Sequence, residues 1–432
     1  VELRVPEVRG GNEVTTMTKC LYYDDSFLYE FEAQVTEIIP ASQAEVRPAV
    51  ALDRTAFYPT SGGQVFDTGW IARADSSGNV DTSKVIEVAE REDGTIVHFL
   101  SNSAPLSPGM RVHGKIDAIR RRDHMQQHSG QHVLSAAFIR LFNVPTVSFH
   151  MGVDSCTIDL DTKALAAEQV EAAERLANEI ILENRSVDIQ YVSQAEAQSM
   201  GLRKVPSVGK AELRLIAIHD FDLTACGGTH VRNTGQIGCI LLRKTEKVRQ
   251  GVRVEFVCGQ RAVATTRRDY LTLAEAAELY SAHIWDLPQQ IRKAQEESKA
   301  ARRSREELLE ELVKQHALRL VAEAPVANGR KVVVSVFAER DLPFIRLLAQ
   351  KCTQAADNVI ALLASTSGHT ALVFAQSAGQ PFDMGGLMKE ALMKLGGRGG
   401  GSRDLAQGGT SEPKPVEPVL LEVKKKLFAA AP

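Results

Sequence analysis

Arg121-Arg-Asp-His-Met-Gln-Gln-His-Ser-Gly-Gln-His-Val-Leu-Ser135 is the stretch around which the chain is organised. It is rich in Gln, Met, Leu and Ala, and no Pro occurs between Gly114 and Val144, so it reads as a helix. His128 and His132 stand four positions apart, one turn above each other on one helical face, where two imidazoles can reach a single metal ion. A hydrolytic zincin would carry Glu directly after the first His as its general base; Ser129 occupies that place, which argues against a metalloprotease. Further on comes Thr224-Ala-Cys-Gly-Gly-Thr-His230, with Cys226 and His230 again four apart. Three imidazoles and a thiolate form a chemically sensible zinc set. Read alone, the His pair suits a packed helix face and Cys226 a small buried apolar residue; two such pairs together, with glycines letting the backbone pass close to a ligand, make metal binding an even alternative. His124, one turn before His128, is a further candidate on the same face.

Working outward, the segment from Cys20 to His113 reads as β-rich. Phe31 to Ile39 alternates apolar and polar residues; Val85 to Val88 and Thr95 to Leu100 are further short runs, with Glu92-Asp-Gly94 as a turn signal. Many short strands punctuated by Gly, Pro and Asp suggest a small barrel. Within it lies Leu52-Asp-Arg-Thr-Ala-Phe-Tyr-Pro-Thr-Ser-Gly-Gly-Gln-Val-Phe-Asp-Thr-Gly69, whose Ser61-Gly62-Gly63 suits either a hairpin turn or a backbone that approaches a ligand. After the His-rich helix, Phe149 to Leu160 ends in a strand, and Ser148 and His150 are candidate pocket residues. Ala164 to Asn184 reads as a helix, and Ile189 to Val192, Leu213 to Ile218, Ile240 to Lys244 and Val252 to Val257 as strands. Arg261 to Ala324 is helical and charged nearly all round in its middle. Its late apolar stripe (Leu308, Leu309, Leu312, Val313, Leu318, Leu320, Val321) suits packing on the next domain or self-association equally. From Gly329 onward, strands at Lys331 to Phe337, Val359 to Leu363 and Ala371 to Ala375 and a helix at Asp341 to Ala356 describe an α/β domain ending in a glycine-dense loop, Leu395 to Gly409.

The chain of 432 residues is long enough for two to four domains, and 44% hydrophobic with 24% charged residues is a globular composition. A net charge of −3 excludes a uniformly basic nucleic-acid binder, so RNA contact would use local patches. Two such patches are Arg243, Lys244, Lys247, Arg249 and Arg253, and Arg120 to Arg122 at the start of the His-rich helix. The six cysteines follow no disulfide framework, which suits a reducing cytosol, and no apolar run is long enough to span a bilayer. Met17 precedes the first patterned segment, so residues 1–16 are expected to be a disordered leader.

His-Ser-Gly-Gln-His-Val-Leu-Ser followed by Cys-Gly-Gly-Thr-His resembles the editing domain of alanyl-tRNA synthetases and of their free-standing relatives, the trans-editing proteins, in their long form. The resemblance covers Met17 to the C-terminus. It implies an α+β multidomain protein with a β-barrel (17–114), a zinc-containing editing domain (115–260), a helical connector (261–328) and a C-terminal tRNA-binding α/β domain (329–432). It implies zinc on His128, His132, Cys226 and His230, and hydrolysis of Ser-tRNA(Ala), with Gly-tRNA(Ala) as a further substrate. The glycine-rich motif of the family is similar to the segment holding Thr55, Gly62, Gly63 and Gln64, with Thr60 and Ser61 in place of its Glu and first Gly, and Thr55 lies where the family carries a Thr implicated in sensing the seryl hydroxyl. The glycine-dense C-terminal stretch resembles the loop that alanyl-tRNA synthetases share with Asp-His-His phosphoesterases; Arg398 interrupts its glycines, and Arg398 and Arg403 with backbone N–H groups could form an anion nest for RNA phosphate. No Asp-His-His motif accompanies it, so phosphoesterase chemistry is not implied. The expected partner is the acceptor end of tRNA(Ala), with a homodimer through the connector or the C-terminal domain as a second expectation. The alternatives are a fragment of a full-length synthetase and a non-catalytic RNA-binding protein with structural zinc. With four protein ligands, the metal's role as catalyst or anchor stays open.

Overall fold

The computed structural model describes residues 17–41, 47–74, 80–102, 105–200, 202–203, 212–249, 251–412 and 414–429; the leader expected over 1–16 lies outside them. The chain divides into two compact units, residues 1–275 and 276–432. It is a mixed α and β protein with several separate sheets, one of them closed into a barrel.

In the first unit six antiparallel strands close that barrel in the order Glu30–Ile39, Ala49–Leu52, Ile96–Leu100, Val80–Glu90, Gly69–Ala74 and Arg111–Ile116. The alternation of the first strand is what fills it: Phe31, Ala33 and Val35 are buried while Glu30, Glu32 and Gln34 face solvent, because successive side chains of a strand point to opposite faces. Phe57, Ile71, Val85, Val88 and Ile96 complete the interior.

Helix α1 (Ala118–Phe142) leaves the barrel and runs through the centre of the unit. Asp117 caps it, accepting from the backbone N–H groups of Ile119 and Arg120, and Asn143 ends it in a left-handed conformation (φ 55°). It is not amphipathic: nearly every side chain from Arg121 to Phe138 is buried. Val133, Leu134, Ala137 and Phe138 pack against Ala177 and Ile181 of α2 (Ala167–Leu182) and against Ile158 and Phe256 of the sheet below, which has the order Ile240–Val248, Gly251–Cys258, Cys156–Leu160, Thr146–Met151. A second sheet, Val187–Ser193, Glu212–Ile218 and Asp222–Ala225, flanks a short α3 (Gln194–Ser199) and delivers the Cys226 segment.

Arg121 corrects one expectation. It is fully buried, and its guanidinium grips the Asp67 carboxylate (Nε to Oδ2, 3.1 Å) and the carbonyl of Ser26 (2.7 Å), so it joins helix to barrel and presents no charge to RNA. The buried ion is tolerated because its hydrogen bonds are satisfied.

Helix α4 (Gly259–Glu278) carries the chain out of the first unit. In the second, α5 (Leu287–Glu323) is exposed along its charged half, while Val313, Ala317 and Val321 are buried against Phe344, Ile345 and Leu348 of α6 (Leu342–Ala355). The late apolar stripe is thus divided: part packs within this unit, and Leu308, Leu312 and Leu318 remain exposed. The sheet runs Val326–Ala327, Arg330–Phe337, Val359–Ser365, Thr370–Gln376, Leu405–Thr410, Arg398–Gly401, with α7 (Met384–Leu395) and α8 (Glu417–Ala429) on the face opposite α6. Its glycine-dense end is not a loop but the edge hairpin Arg398–Gly401 with Leu405–Thr410. Leu392 of α7 lies flat on it, and a Cβ on Gly399 or Gly408 would come within 2.6 or 2.3 Å of that side chain.

Candidate metal and editing centre

The nitrogen and sulfur donors of His128, His132, Cys226 and His230 lie within 4.8 Å of one another. Helical spacing sets the first two. The Cys226–His230 turn brings the other two onto them from the end of strand Asp222–Ala225. Cys226 Sγ is 3.4 Å from both His128 Nε2 and His230 Nε2. The glycines of the turn serve this approach: a Cβ on Gly228 would meet the His128 ring at 2.1 Å.

Each imidazole is fixed through its far nitrogen, the arrangement that sets tautomer and ring angle in metal sites. His128 Nδ1 bonds Gln64 Oε1 at 2.7 Å. His132 Nδ1 faces the Arg203–Asp222 pair, 3.3 Å from Arg203 Nη2 and 3.5 Å from Asp222 Oδ2, and Arg203 holds that carboxylate at 2.8 and 3.0 Å. His230 Nδ1 bonds Ser129 Oγ at 3.2 Å. The Nε2 atoms are left for the centre. Gln64 also accepts from Thr229 N (3.1 Å) and donates to Thr229 Oγ1 (2.8 Å), so the barrel's glycine-rich segment is tied directly to the Cys226–His230 turn.

The electrostatics suit a cation. Burial pushes the Cys226 thiol up, but His128 and His230 outweigh it and hold the thiol well below its ordinary value. Burial lowers His230 to about 3, keeping it a neutral donor. His132 is raised: burial opposes this, and Asp222 and Cys226 prevail. Three imidazoles and a thiolate fit a borderline-soft divalent ion. His124 is not among the four; it is buried one turn earlier, with Nδ1 3.9 Å from Asp67 Oδ1.

The remaining predicted residues are distributed as follows. Gln64 is buried at the centre, Gly63 (φ 86°) backs onto Phe149, and Gly62 (φ 57°) is exposed with open space around it. Thr55 lies beside the barrel, on the short strand Arg54–Thr55 that pairs with Lys19–Cys20, and is fully buried: its Oγ1 is 2.8 Å from Nε2 of His98, on a barrel strand, and accepts from Phe57 N. His98 Nδ1 bonds the Val50 carbonyl, so Nε2 is the acceptor and the Thr55 hydroxyl is the donor. Strand Thr146–Met151 turns Phe149 toward the centre, stacked on His128 at 5.4 Å, which sends Ser148 and His150 to the exposed face. Arg243, Lys244, Lys247 and Arg249 are exposed; Arg243 is paired with Asp269 and Lys244 with Glu246, and among the described residues Lys247 and Arg249 have no carboxylate partner. Arg398 and Arg403 are exposed on the C-terminal hairpin.

Sequence reasoning did not find Asp222, Arg203 or Ser129 as supports of the imidazoles. Ser129 stood beside His128 and was read only as the missing Glu of a protease.

Comparison with known proteins gives a consistent picture. The family model for the threonyl and alanyl tRNA synthetase second additional domain matches residues 213–254, and that for class II (A) tRNA synthetases matches residues 5–120. The alanine–tRNA ligase of Thermococcus kodakarensis is 32% identical over 95% of this chain and 44% of its own length, so the chain spans less than half of that relative. The alanyl-tRNA editing protein AlaX-L of Pyrococcus horikoshii is 31% identical over 94% of this chain and 98% of its own length. Among solved structures, the C-Ala domain of Aquifex aeolicus alanyl-tRNA synthetase aligns with 25% of this chain and 99% of its own, at 23% identity and a TM-score of 0.23.

Proposed function

This chain belongs to the alanyl-tRNA editing family that includes AlaX-L, and from that premise we propose that it is a zinc-dependent aminoacyl-tRNA deacylase. Its substrate is Ser-tRNA(Ala), with Gly-tRNA(Ala) as a second. The observation that carries this reading is the convergence of His128, His132, Cys226 and His230 with every imidazole held from behind. The need for such an enzyme is physical: a pocket built for a small apolar side chain rejects an isostere with one added hydroxyl only weakly, so a hydrolytic second sieve is required.

Zinc on these four residues would supply Lewis-acid and orienting chemistry to the ester. The protein's own contribution is preorganisation. Gln64, Asp222 and Ser129 fix the three rings, Phe149 covers one face of His128, and burial keeps water from the histidine side. Lys247 and Arg249, which have no carboxylate partner among the described residues, would meet RNA phosphates in the first unit, and the exposed Arg398 and Arg403 would do so in the second; such contacts position the substrate without reading bases. Thr55 would act on serine as an acceptor, because its proton is given to His98.

Deacylation of Ser-tRNA(Ala) and Ala-tRNA(Ala), before and after treatment with a chelator, tests the proposal. We expect rapid loss of serine, slow loss of alanine, and loss of both activities with the metal. Equal rates on the two esters, or a rate indifferent to metal removal, would overturn it. Thr55→Val should reduce the serine-to-alanine preference by about 3- to 30-fold, the range of a neutral hydrogen bond plus the cost of leaving a buried group unpaired. The alternative of an editing half within a longer synthetase is favoured by the match to 44% of the ligase relative and uses the same centre.

A further inference from the structure

We propose that the rim formed by Tyr23, Tyr191 and Arg214 receives the 3′-terminal nucleoside of the RNA, with its base against the tyrosine rings. This rests on the deacylase reading above and adds to it the place where the nucleic acid touches the centre.

The direction of access comes first. Of the four donor residues only Cys226 is not buried; the three histidines are 2–4% exposed. Its neighbour Gly227 is exposed, so the Cys226–Gly227 side is the least covered side of the donor set. A substrate whose acyl carbon must reach the centre there leaves its ribose and base at that mouth.

What stands at the mouth is aromatic and cationic. A Cβ on Gly227 would lie 3.5 Å from the Tyr23 ring, which makes Tyr23 the wall beside the opening. Arg214 donates from Nη1 to the carbonyls of Cys226 (2.7 Å) and Gly228 (3.1 Å), and from Nε to the Tyr23 carbonyl (3.0 Å). Its guanidinium lies 5.6 Å from the Tyr23 ring centroid. Tyr191 is the cross-strand partner of Arg214, and its hydroxyl reaches the same Tyr23 carbonyl at 3.2 Å, so all three side chains meet at one edge of the turn. Tyr191 is 45% exposed although it is held in place, a planar ring fixed at its hydroxyl end and open to solvent.

Arg214 also brings a fixed positive charge to this edge, held in place by its bonds to three backbone carbonyls. A nucleotide suits such a rim: a flat π-face for the exposed ring of Tyr191 and a negatively charged backbone beside the guanidinium charge. A free serine or alanine offers no such π-face.

The test is binding of intact tRNA(Ala) against the same RNA lacking its terminal adenosine, with wild type, Tyr191→Ala and Tyr191→Phe, each checked for zinc content and circular dichroism. Wild type and Tyr191→Phe should bind the intact RNA about tenfold more tightly than the shortened one, within the range of base–aromatic stacking. Tyr191→Ala should bind both alike. A Tyr191→Ala protein that still discriminates, or a wild type that does not, overturns the proposal. Binding needs no hydrolysis, so a wild type that discriminates but leaves both aminoacyl esters intact refutes the deacylase reading while keeping the rim.

Discussion

Replacing Gln64 by Ala should weaken metal binding far more than its position in the barrel segment suggests. Gln64 Oε1 accepts from His128 Nδ1 at 2.7 Å and from Thr229 N at 3.1 Å, and Nε2 donates to Thr229 Oγ1 at 2.8 Å, all in a fully buried setting. Truncation strands two buried donors, each at a cost of about 1–3 kcal/mol, so the first unit should lose roughly 2–4 kcal/mol once partial relaxation is allowed. Much of that loss is common to the metal-free and metal-loaded protein. The part specific to the metal is the orientation of His128, and loss of such a support typically lowers affinity by about 10- to 100-fold. Competition against a chromophoric chelator measures the affinity, and thermal denaturation of both forms measures the stability. Gln64→Glu keeps an acceptor for His128 and should retain most of the affinity. If Gln64→Ala lost stability but bound zinc within a factor of about two of wild type, well short of the expected effect, the support assigned to Gln64 would be wrong.

Cys226→Ala should remove the bound zinc equivalent, measured by elemental analysis; unchanged content would refute the ligand set. Arg121→Met leaves the Asp67 carboxylate buried and unpaired and should destabilise the first unit by about 3–5 kcal/mol in urea denaturation, whereas an exposed arginine would cost almost nothing. Burial lowers His98 to about 4. Its neutral folded form therefore contributes stability that is complete above the unfolded value near 6.5 and is lost as pH falls from there toward 4, by up to about 1.4 kcal/mol per pH unit. His98→Gln should flatten stability against pH in that window relative to wild type, and parallel curves would refute it.

The legible parts of this molecule are those whose signal is local. The i, i+4 pairs at His128 and His132 and at Cys226 and His230 announce side chains that share a face or a turn, and the structure brings all four together. The alternation from Phe31 onward announces a half-buried strand, and the barrel contains it. Long-range partners leave no such trace. Nothing near Asp222 in the sequence says that it will stand behind His132, nor anything near Asp67 that Arg121 will be buried against it. The basic triplet Arg120 to Arg122 reads as one patch, yet helical rotation sends its middle member into the core and leaves Arg122 exposed. Thr55 was assigned through a motif; its buried bond to His98 depends on which barrel strand lies alongside. The glycines after Leu395 carry no side-chain period, so neither strand nor loop is favoured until Leu392 presses against them.

The four donors also carry a temporal meaning. Translation delivers the barrel first, then α1 with both of its imidazoles, and only much later the cysteine at the end of strand Asp222–Ala225. A nascent chain that has exposed α1 holds two nitrogen donors and no thiolate, a weak and unselective chelator. With zinc on these residues as proposed, capture would become tight once that last strand has paired with Glu212–Ile218 and the turn has closed onto the helix. Metal loading would then record that distant segments of the first unit have already found one another, and a cell that measured zinc retention in newly made chains would be counting finished folds.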